Sequence, residues 1–167
     1  MSPPFKKLPT SKKGSFGEQI VKNFLKENGC TIYSSDDKEE GHPIDFIVVR
    51  GTEIVAVDVK TKPRREYYQD TGFDLKDFDK YTELQNINKI KVVIYFVDER
   101  EKKVYVALLS NLSRKIKVGE KNYPFIEGAG REKVIYFPLQ NMKIIRSLTD
   151  LECLAIAEYS SRNKGYD

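Results

Sequence analysis

The chain has 167 residues, of which 40% are hydrophobic and 32% are charged. This composition fits one soluble domain with an adequate core, and no apolar run approaches the length of a membrane span. The N-terminus lacks the apolar segment of a signal peptide, so we expect a cytoplasmic protein without a membrane partner. The two cysteines, Cys30 and Cys153, are too few for a disulfide or metal framework, and we interpret both as small buried residues.

The formal net charge of +4 has its source at the N-terminus. Residues 1–13 contain four lysines, three prolines and no acidic residue, which leaves 25 basic and 25 acidic residues in the rest of the chain. This pattern predicts a basic disordered tail over residues 1–13, either with non-specific affinity for phosphate or with no role. One domain is predicted over residues 14–161, with a core at 15–109 and a C-terminal addition at 110–161, before a frayed tail at 162–167.

The first predicted helix runs from Ser15 to Asn28, where apolar residues recur at helical spacing and Gly29 provides a stop. Glu18 falls at the rim of the apolar face of this helix. Two interpretations are open for it. Glu18 either reaches back to the Ser15 amide in a capping box or faces a functional site.

A short strand is predicted from Cys30 to Ser35, followed by an acidic loop that ends at His42, the only histidine. His42 either binds phosphate or shuttles a proton, or it is an ordinary loop residue. A single histidine cannot form a zinc site of the usual kind, and the sequence offers no recognisable nucleophilic triad.

The most informative stretch, Ile44 to Lys62, consists of two apolar runs around Arg50-Gly51-Thr52-Glu53, which predicts a β-hairpin. A loop of two or four residues places Asp45 opposite Asp58, with Lys60 on the same face. Two ionised carboxylates about 5 Å apart repel each other by roughly 3 kcal/mol at an effective dielectric near 20, so a positive group should lie between them. The candidates are Lys60 and a divalent cation, Mg²⁺ or Mn²⁺. The alternative is an ion pair without chemistry.

A basic stretch follows the hairpin, with four lysines and arginines among residues 60–65 and two tyrosines directly after them. Basic side chains neutralise phosphates, and tyrosines stack on bases or bond to sugars. The predicted nucleic-acid-binding residues are Lys62, Arg64, Arg65 and Tyr67. The alternative is a solvated loop.

The rest of the chain adds helices and strands. Apolar spacing predicts a second helix after Asp74, a plausible N-cap, and strands follow at Lys91–Val97 and Lys103–Leu109. Two strand-like runs, at 114–118 and 133–137, are less informative. A capping-box pattern, Thr149-Asp150-Leu151-Glu152, predicts the start of a final helix.

The region from Ser15 to about Leu109 resembles the PD-(D/E)xK nuclease superfamily. That superfamily has an αβββαβ core with a glutamate on the first helix, an aspartate on the second strand and (D/E)-x-K on the third. The matching positions are Glu18, Asp45 and Asp58-Val59-Lys60, with isoleucine between Pro43 and Asp45 and with aspartate at 58 as the departures. The resemblance implies an α/β fold: a three-layer α/β/α restriction-endonuclease-like core with a mixed sheet. The patterns after Ser110 predict a C-terminal β-hairpin and helix added to this core.

The resemblance also implies Mg²⁺- or Mn²⁺-dependent hydrolysis of phosphodiester bonds in double-stranded or branched DNA. Asp45, Asp58 and the Val59 carbonyl would hold the metal, and Glu18 would act through water or a second ion. Lys60 would position the attacking water and stabilise charge on the phosphate. Resolvase-like members of the superfamily are homodimers. The alternatives are a catalytically inactive module of the same fold that binds nucleic acid or protein, and an unrelated α/β domain with an ion-pair cluster.

Overall fold

The apolar strand runs of the sequence form one large sheet in the computed structural model, which describes residues 9–34 and 43–161. The helices are α1 (Pro9–Glu27), α2 (Leu75–Asn88), α3 (Leu109–Leu112) and α4 (Asp150–Ser161). The strands are β1 (Thr31–Tyr33), β2 (Phe46–Arg50), β3 (Glu53–Thr61), β4 (Asp70–Asp74), β5 (Lys91–Asp98), β6 (Lys103–Leu108), β7 (Ile116–Val118), β8 (Lys121–Tyr123), β9 (Phe125–Glu127), β10 (Val134–Pro138) and β11 (Lys143–Ser147).

The large sheet has six strands in the order β1-β2-β3-β5-β6-β11. Only β3 and β5 run parallel, and the crossover between them contains β4 and α2. Side chains alternate between the two faces of a strand. Along β3, Val57 and Val59 therefore face one layer, whereas Ala56, Asp58 and Lys60 face the other.

Helices cover both faces of this sheet, which confirms the predicted three-layer architecture. On one face, α1 and α4 bury Ile20, Val21 and Ile156 against Val57 and Val59. On the opposite face, a core that is rich in aromatic residues lies below α2 and includes Phe73, Tyr81, Phe96, Ile135 and Phe137. The side chains of Asp58 and Lys60 point into this second layer, next to α2.

The predicted hairpin is confirmed in its register. Arg50 pairs with Glu53, and the ladder continues to Phe46 opposite Val57. Gly51 has a φ of 60°, the left-handed conformation that favours glycine in a two-residue turn.

Helix α1 begins at Pro9, earlier than the predicted start at Ser15. The predicted tail over residues 1–13 is therefore wrong for residues 9–13, whereas residues 1–8 lie outside the described ranges. Proline is tolerated in the first turn of a helix, where its missing N–H has no intrahelical partner. Lys13, within this additional part of α1, forms an ion pair with Glu99, since its Nζ lies 2.6 Å from Oε1.

The two strand-like runs of the C-terminal region do not pair with each other, although the first of them, β7, forms a hairpin with β8. β7 pairs with β8, whereas β10 lies between β9 and β4 in a second, three-stranded sheet. β11 then completes the edge of the large sheet beside β6. Gly72 of β4 permits the close pairing with β10, since a Cβ at this position would lie 2.3 Å from the Ile135 carbonyl oxygen.

The capping box before α4 is confirmed. The Thr149 amide donates to Glu152 Oε1 at 2.9 Å, and the Glu152 amide donates to Thr149 Oγ1 at 3.1 Å. Cys30 and Cys153 are free thiols and are half-buried, which is less burial than predicted. Within the described ranges, no helix is long and apolar enough to cross a membrane. His42 and the predicted tail at 162–167 lie outside those ranges.

Candidate active site

Asp58 and Lys60 form the centre of the site on β3. Asp58 is 6% exposed, and Lys60 Nζ lies 3.0 Å from its Oδ2 atom. The two residues are neighbours on one face because they are two positions apart on a strand. The ammonium group therefore compensates part of the charge of a buried carboxylate.

Asp45 lies at the point where the hairpin ladder ends. The last ladder pair is Phe46 with Val57, and the Asp45 amide donates to the Val57 carbonyl at 3.0 Å. The Asp45 carboxylate turns back onto β3, because its Oδ2 accepts a hydrogen bond of 2.7 Å from the Val59 amide. The predicted pairing opposite Asp58 is thus replaced by an irregular strand end, which still leaves both carboxylates in one electrostatic cluster.

The carboxylates of this cluster repel each other in a buried setting. Burial and then the charge of Glu18 raise the pKa of Asp45 to about 6, against the lowering effects of the Val59 amide and Lys60. Burial and then the charge of Asp45 raise the pKa of Asp58 to about 7, although Lys60 lowers it. Lys60 alone therefore does not neutralise the site, and a further cation would be stabilised here.

Glu18 belongs to this cluster and does not cap a helix. Because α1 begins at Pro9, Ser15 and Glu18 both lie inside the helix, so the capping-box interpretation is wrong. Glu18 is instead close enough to Asp45 to raise the pKa of Asp45 through its charge and through a shared hydrogen bond. The neighbouring Gly17 allows α1 to approach the end of β3, since a Cβ there would lie 1.7 Å from Thr61 Oγ1.

Three residues that the sequence analysis did not select surround Lys60. The Asp77 carboxylate, in the first turn of α2, lies 3.0 Å from Lys60 Nζ. The rings of Phe73 and Tyr81 each have their centroid 5.4 Å from the same nitrogen. Burial lowers the pKa of Lys60, but Asp58 and Asp77 outweigh it and raise the pKa overall. Lys60 is therefore held as an ammonium group.

Tyr81 also acts on Asp58. Its side chain is buried at 1% exposure, and its hydroxyl is a hydrogen-bond partner that lowers the pKa of Asp58. Burial and the charge of Asp58 in turn raise the pKa of Tyr81 far above its ordinary value, so the hydroxyl keeps its proton. Asp77 and Tyr81 are four residues apart, which places both side chains on one face of α2. This spacing is the sequence pattern from which their shared position could have been predicted.

The donor chemistry of the site suits a hard divalent cation. Mg²⁺ takes oxygen ligands and is commonly bound by one or two carboxylates, with water and substrate phosphate as further ligands. Asp45 and Asp58 offer carboxylates, and the Val59 carbonyl points to the same strand edge as the Val59 amide, toward Asp45. Asp58 Oδ2 is buried, and Lys60 Nζ lies 3.0 Å from it. No three Asp, Glu, His or Cys side chains within residues 9–34 and 43–161 converge as a ready metal site, so the fit consists of two carboxylates and one carbonyl.

The predicted nucleic-acid-binding arginines are engaged within the protein. Arg64 Nε donates to Glu101 at 2.7 Å, and its backbone amide donates to Asp98 at 2.8 Å. Arg65 makes two hydrogen bonds of 2.6 Å to Asp70, which is fully buried. Both guanidinium groups are therefore engaged with carboxylates of the protein, and nucleic-acid binding by Arg64 and Arg65 stays a prediction.

The other two predicted nucleic-acid-binding residues differ in exposure. Lys62 is half-buried, and burial lowers its pKa, as do the charges of Lys60 and Lys13, whereas Asp74 raises it. Tyr67 is 85% exposed, so it can contact a partner. Of the four predicted residues, Tyr67 is therefore the most accessible.

No protein-family model and no curated protein matches the chain. Solved structures do match. A Holliday junction resolvase, Hjc, from the archaeal hyperthermophile Archaeoglobus fulgidus aligns with a TM-score of 0.52 and 12% sequence identity, over 77% of this chain and 90% of the resolvase. A nuclease from a fusselovirus aligns with a TM-score of 0.45 and 11% identity, over 98% of this chain and 99% of the nuclease.

The alignment with the resolvase concerns the fold, because 12% identity does not carry residue roles from one chain to another. The mixed sheet between α1 and α2 and the order of the first strands agree with the predicted core. The fold assignment does not depend on the viral nuclease. The chain has the restriction-endonuclease-like fold that its sequence predicts.

Proposed function

We propose that this protein is a metal-dependent nuclease that hydrolyses phosphodiester bonds in DNA. The observation that carries the proposal is the buried cluster of Asp45, Asp58 and Lys60 at one strand end, with Glu18 beside it. Burying carboxylates that repel each other is costly, and it is typical of sites that use the charge. The similarity to a Holliday junction resolvase supports the same class of reaction.

In the proposed mechanism, Asp45, Asp58 and the Val59 carbonyl would hold Mg²⁺ or Mn²⁺, with Glu18 acting through water. The cation would supply Lewis-acid stabilisation and a water molecule of lowered pKa. Lys60 stabilises the negative charge that develops on the phosphate in the transition state. Asp77 fixes the position of the Lys60 ammonium from α2, so that it does not have to reorganise during the reaction.

Branched DNA is the substrate that we propose to test first, with double-stranded DNA as the alternative. The purified protein is incubated with four-way-junction, linear, supercoiled and single-stranded DNA in Mg²⁺, Mn²⁺ or EDTA. We expect cleavage that requires the divalent cation and that favours one DNA form. Analytical ultracentrifugation of the same sample tests the proposed homodimer.

A catalytically inactive DNA-binding module is the second candidate. It would bind the same DNA forms without cutting any of them in either metal. The compensated charge of Lys60 favours the enzyme, since a module that only binds does not need Lys60 held between two carboxylates.

A further inference from the structure

An exposed cluster of positive charge lies on the β7–β8 hairpin and on the two residues before it, far along the chain from the PD-(D/E)xK positions. Arg114, Lys115 and Lys117 are exposed, and Lys121 is half-buried, whereas the only acidic residue between positions 114 and 121 is Glu120. In the described part of the chain, none of these four cations has a carboxylate within 4.0 Å. Arg114, Lys115 and Lys117 are therefore exposed cations without a carboxylate partner among the described residues, whereas Lys121 packs over an aromatic ring.

The hairpin contrasts with the other basic segments of the protein. Arg64 and Arg65 form ion pairs with Glu101 and Asp70, and Arg146 pairs with Glu152. Outside the N-terminal lysines, basic and acidic residues are equal in number. Arg114, Lys115 and Lys117 place three exposed cations within four positions, and this local concentration of positive charge suits an anionic partner.

The alternation of side chains in the hairpin supports this assignment. Ile116 and Val118 are half-buried and Tyr123 is buried, so this face packs on the body of the protein. Lys117 lies on the opposite face and is exposed, across the ladder from Asn122. Apolar residues thus hold the hairpin in place while its outward face keeps the lysine in water.

The hairpin is anchored to the segment that leaves the candidate active site. The Tyr123 hydroxyl donates a hydrogen bond of 2.6 Å to Asp70, which Arg65 also binds. Lys121 Nζ lies 3.7 Å from the centroid of the Tyr68 ring. The loop that carries Tyr68 begins directly after β3, on which Lys60 lies. A partner that reaches the active site along this loop would therefore also meet the hairpin.

We propose that the β7–β8 hairpin binds the phosphate backbone of the nucleic-acid substrate through Arg114, Lys115 and Lys117. This inference rests on the proposed nuclease function, and it adds the C-terminal region to the predicted substrate-binding surface. The spaced cations suit a polyanion with repeated phosphates, and backbone contacts of this kind position a substrate without reading its sequence. Tyr67 is 85% exposed and precedes Tyr68, the residue that Lys121 contacts, so its ring is available for stacking.

The test measures binding of labelled duplex and four-way-junction DNA by fluorescence anisotropy, in Ca²⁺, over a series of salt concentrations. The hairpin variant carries Arg114→Gln, Lys115→Gln and Lys117→Gln. The control variant carries Lys26→Gln, Lys89→Gln and Lys91→Gln. The three control lysines lie at the far ends of α1 and α2 and at the start of β5, and Lys91 pairs with the Val55 end of β3, away from Asp58. Both variants lose three positive charges.

We expect the hairpin variant to bind roughly 10- to 100-fold more weakly at about 0.1 M salt, with a salt dependence whose slope falls by about 2 to 3. The control variant should bind nearly as the parent does. Thermal melts should show that both variants are folded. Cleavage by the hairpin variant should recover at high enzyme concentration, because binding is weakened and the chemical step is not.

The outcomes separate this inference from the proposed function. If the parent cleaves DNA and the hairpin variant binds with parental affinity and salt slope, the inference is overturned and the nuclease remains. If the parent binds through the hairpin but cuts no DNA, the inference stands and the nuclease proposal fails. If the parent binds no DNA, or if both variants weaken binding equally, the hairpin is not the proposed surface.

Discussion

Replacing Asp58 with asparagine should stabilise the metal-free protein above neutral pH. Burial and the neighbouring Asp45 raise the pKa of Asp58 from 3.8 to about 7. A pKa rise of this size means that the ionised carboxylate destabilises the folded protein by about 4 kcal/mol. In a domain of this length, that cost corresponds to a change in Tm on the order of 10 °C. Asparagine keeps the shape of the side chain and removes the charge.

The sign of the pH dependence follows from the raised pKa of Asp58. Below about pH 4, the carboxylate is protonated in both the folded and the unfolded protein, so the penalty is absent. Between about pH 4 and pH 7 the unfolded chain ionises Asp58 while the folded protein keeps the proton, so the stability of the parent falls over this range and levels off above the folded-state pKa of about 7. The Tm advantage of Asp58→Asn should therefore be small near pH 4 and largest near pH 8.

Thermal melts of parent and variant in EDTA at these two pH values measure the effect. Millimolar Mg²⁺ or Mn²⁺ should raise the Tm of the parent at the higher pH and leave Asp58→Asn nearly unchanged. Asp98→Asn is the matched control, because Asp98 is 2% exposed but accepts hydrogen bonds from the backbone amides of Arg64, Arg100 and Glu101. That variant should lose stability at neutral pH. A Tm difference for Asp58→Asn that is equal at both pH values would refute the reasoning.

Three further predictions concern side chains around the site. Glu18→Gln should abolish most metal-dependent cleavage while Tm barely falls, since Glu18 lies inside α1 and repels Asp45; parental activity would remove Glu18 from the site. Asp77→Asn should lower kcat roughly 10-fold with little change in KM, because Lys60 loses a charged partner at 3.0 Å. Steady-state kinetics measures this, with Asp79→Asn at the exposed neighbouring position as the control. An equal effect of both variants would contradict the prediction. Arg65→Ala should destabilise the fold by about 3 to 5 kcal/mol, since the variant leaves the buried Asp70 without its cation. Denaturant unfolding measures this loss, and a loss below about 1 kcal/mol would contradict the prediction.

The local parts of the fold could be predicted from sequence because short-range signals determine them. The hairpin register follows from two apolar runs and one glycine turn, and the α4 cap follows from a pattern of four residues. The three-stranded sheet was missed because β4 and β9 are three to five residues long and contain few apolar residues. Their strand conformation depends on pairing with β10, which is distant in sequence.

In the candidate site too, contacts between residues close in sequence could be predicted, whereas contacts between distant residues could not. Asp58 and Lys60 are two residues apart on one strand, so their proximity could be inferred from the sequence. The partner of Lys60 on α2 is 17 residues away and that of Arg64 is 37 residues away, and a pattern of residue types does not reveal such pairs. The basic stretch after β3 was therefore interpreted as a binding surface, although its two arginines stabilise the loop.

Lys60 is proposed to act in catalysis, and cleavage by Lys60→Ala tests this role. DNA cleavage in Mg²⁺ is measured beside DNA binding in Ca²⁺, with parent and variant at equal concentrations. We predict that cleavage falls by about 100- to 1,000-fold, whereas binding weakens only slightly, because the charge of Lys60 matters most in the transition state. Cleavage by Lys60→Ala at the parental rate would contradict the account.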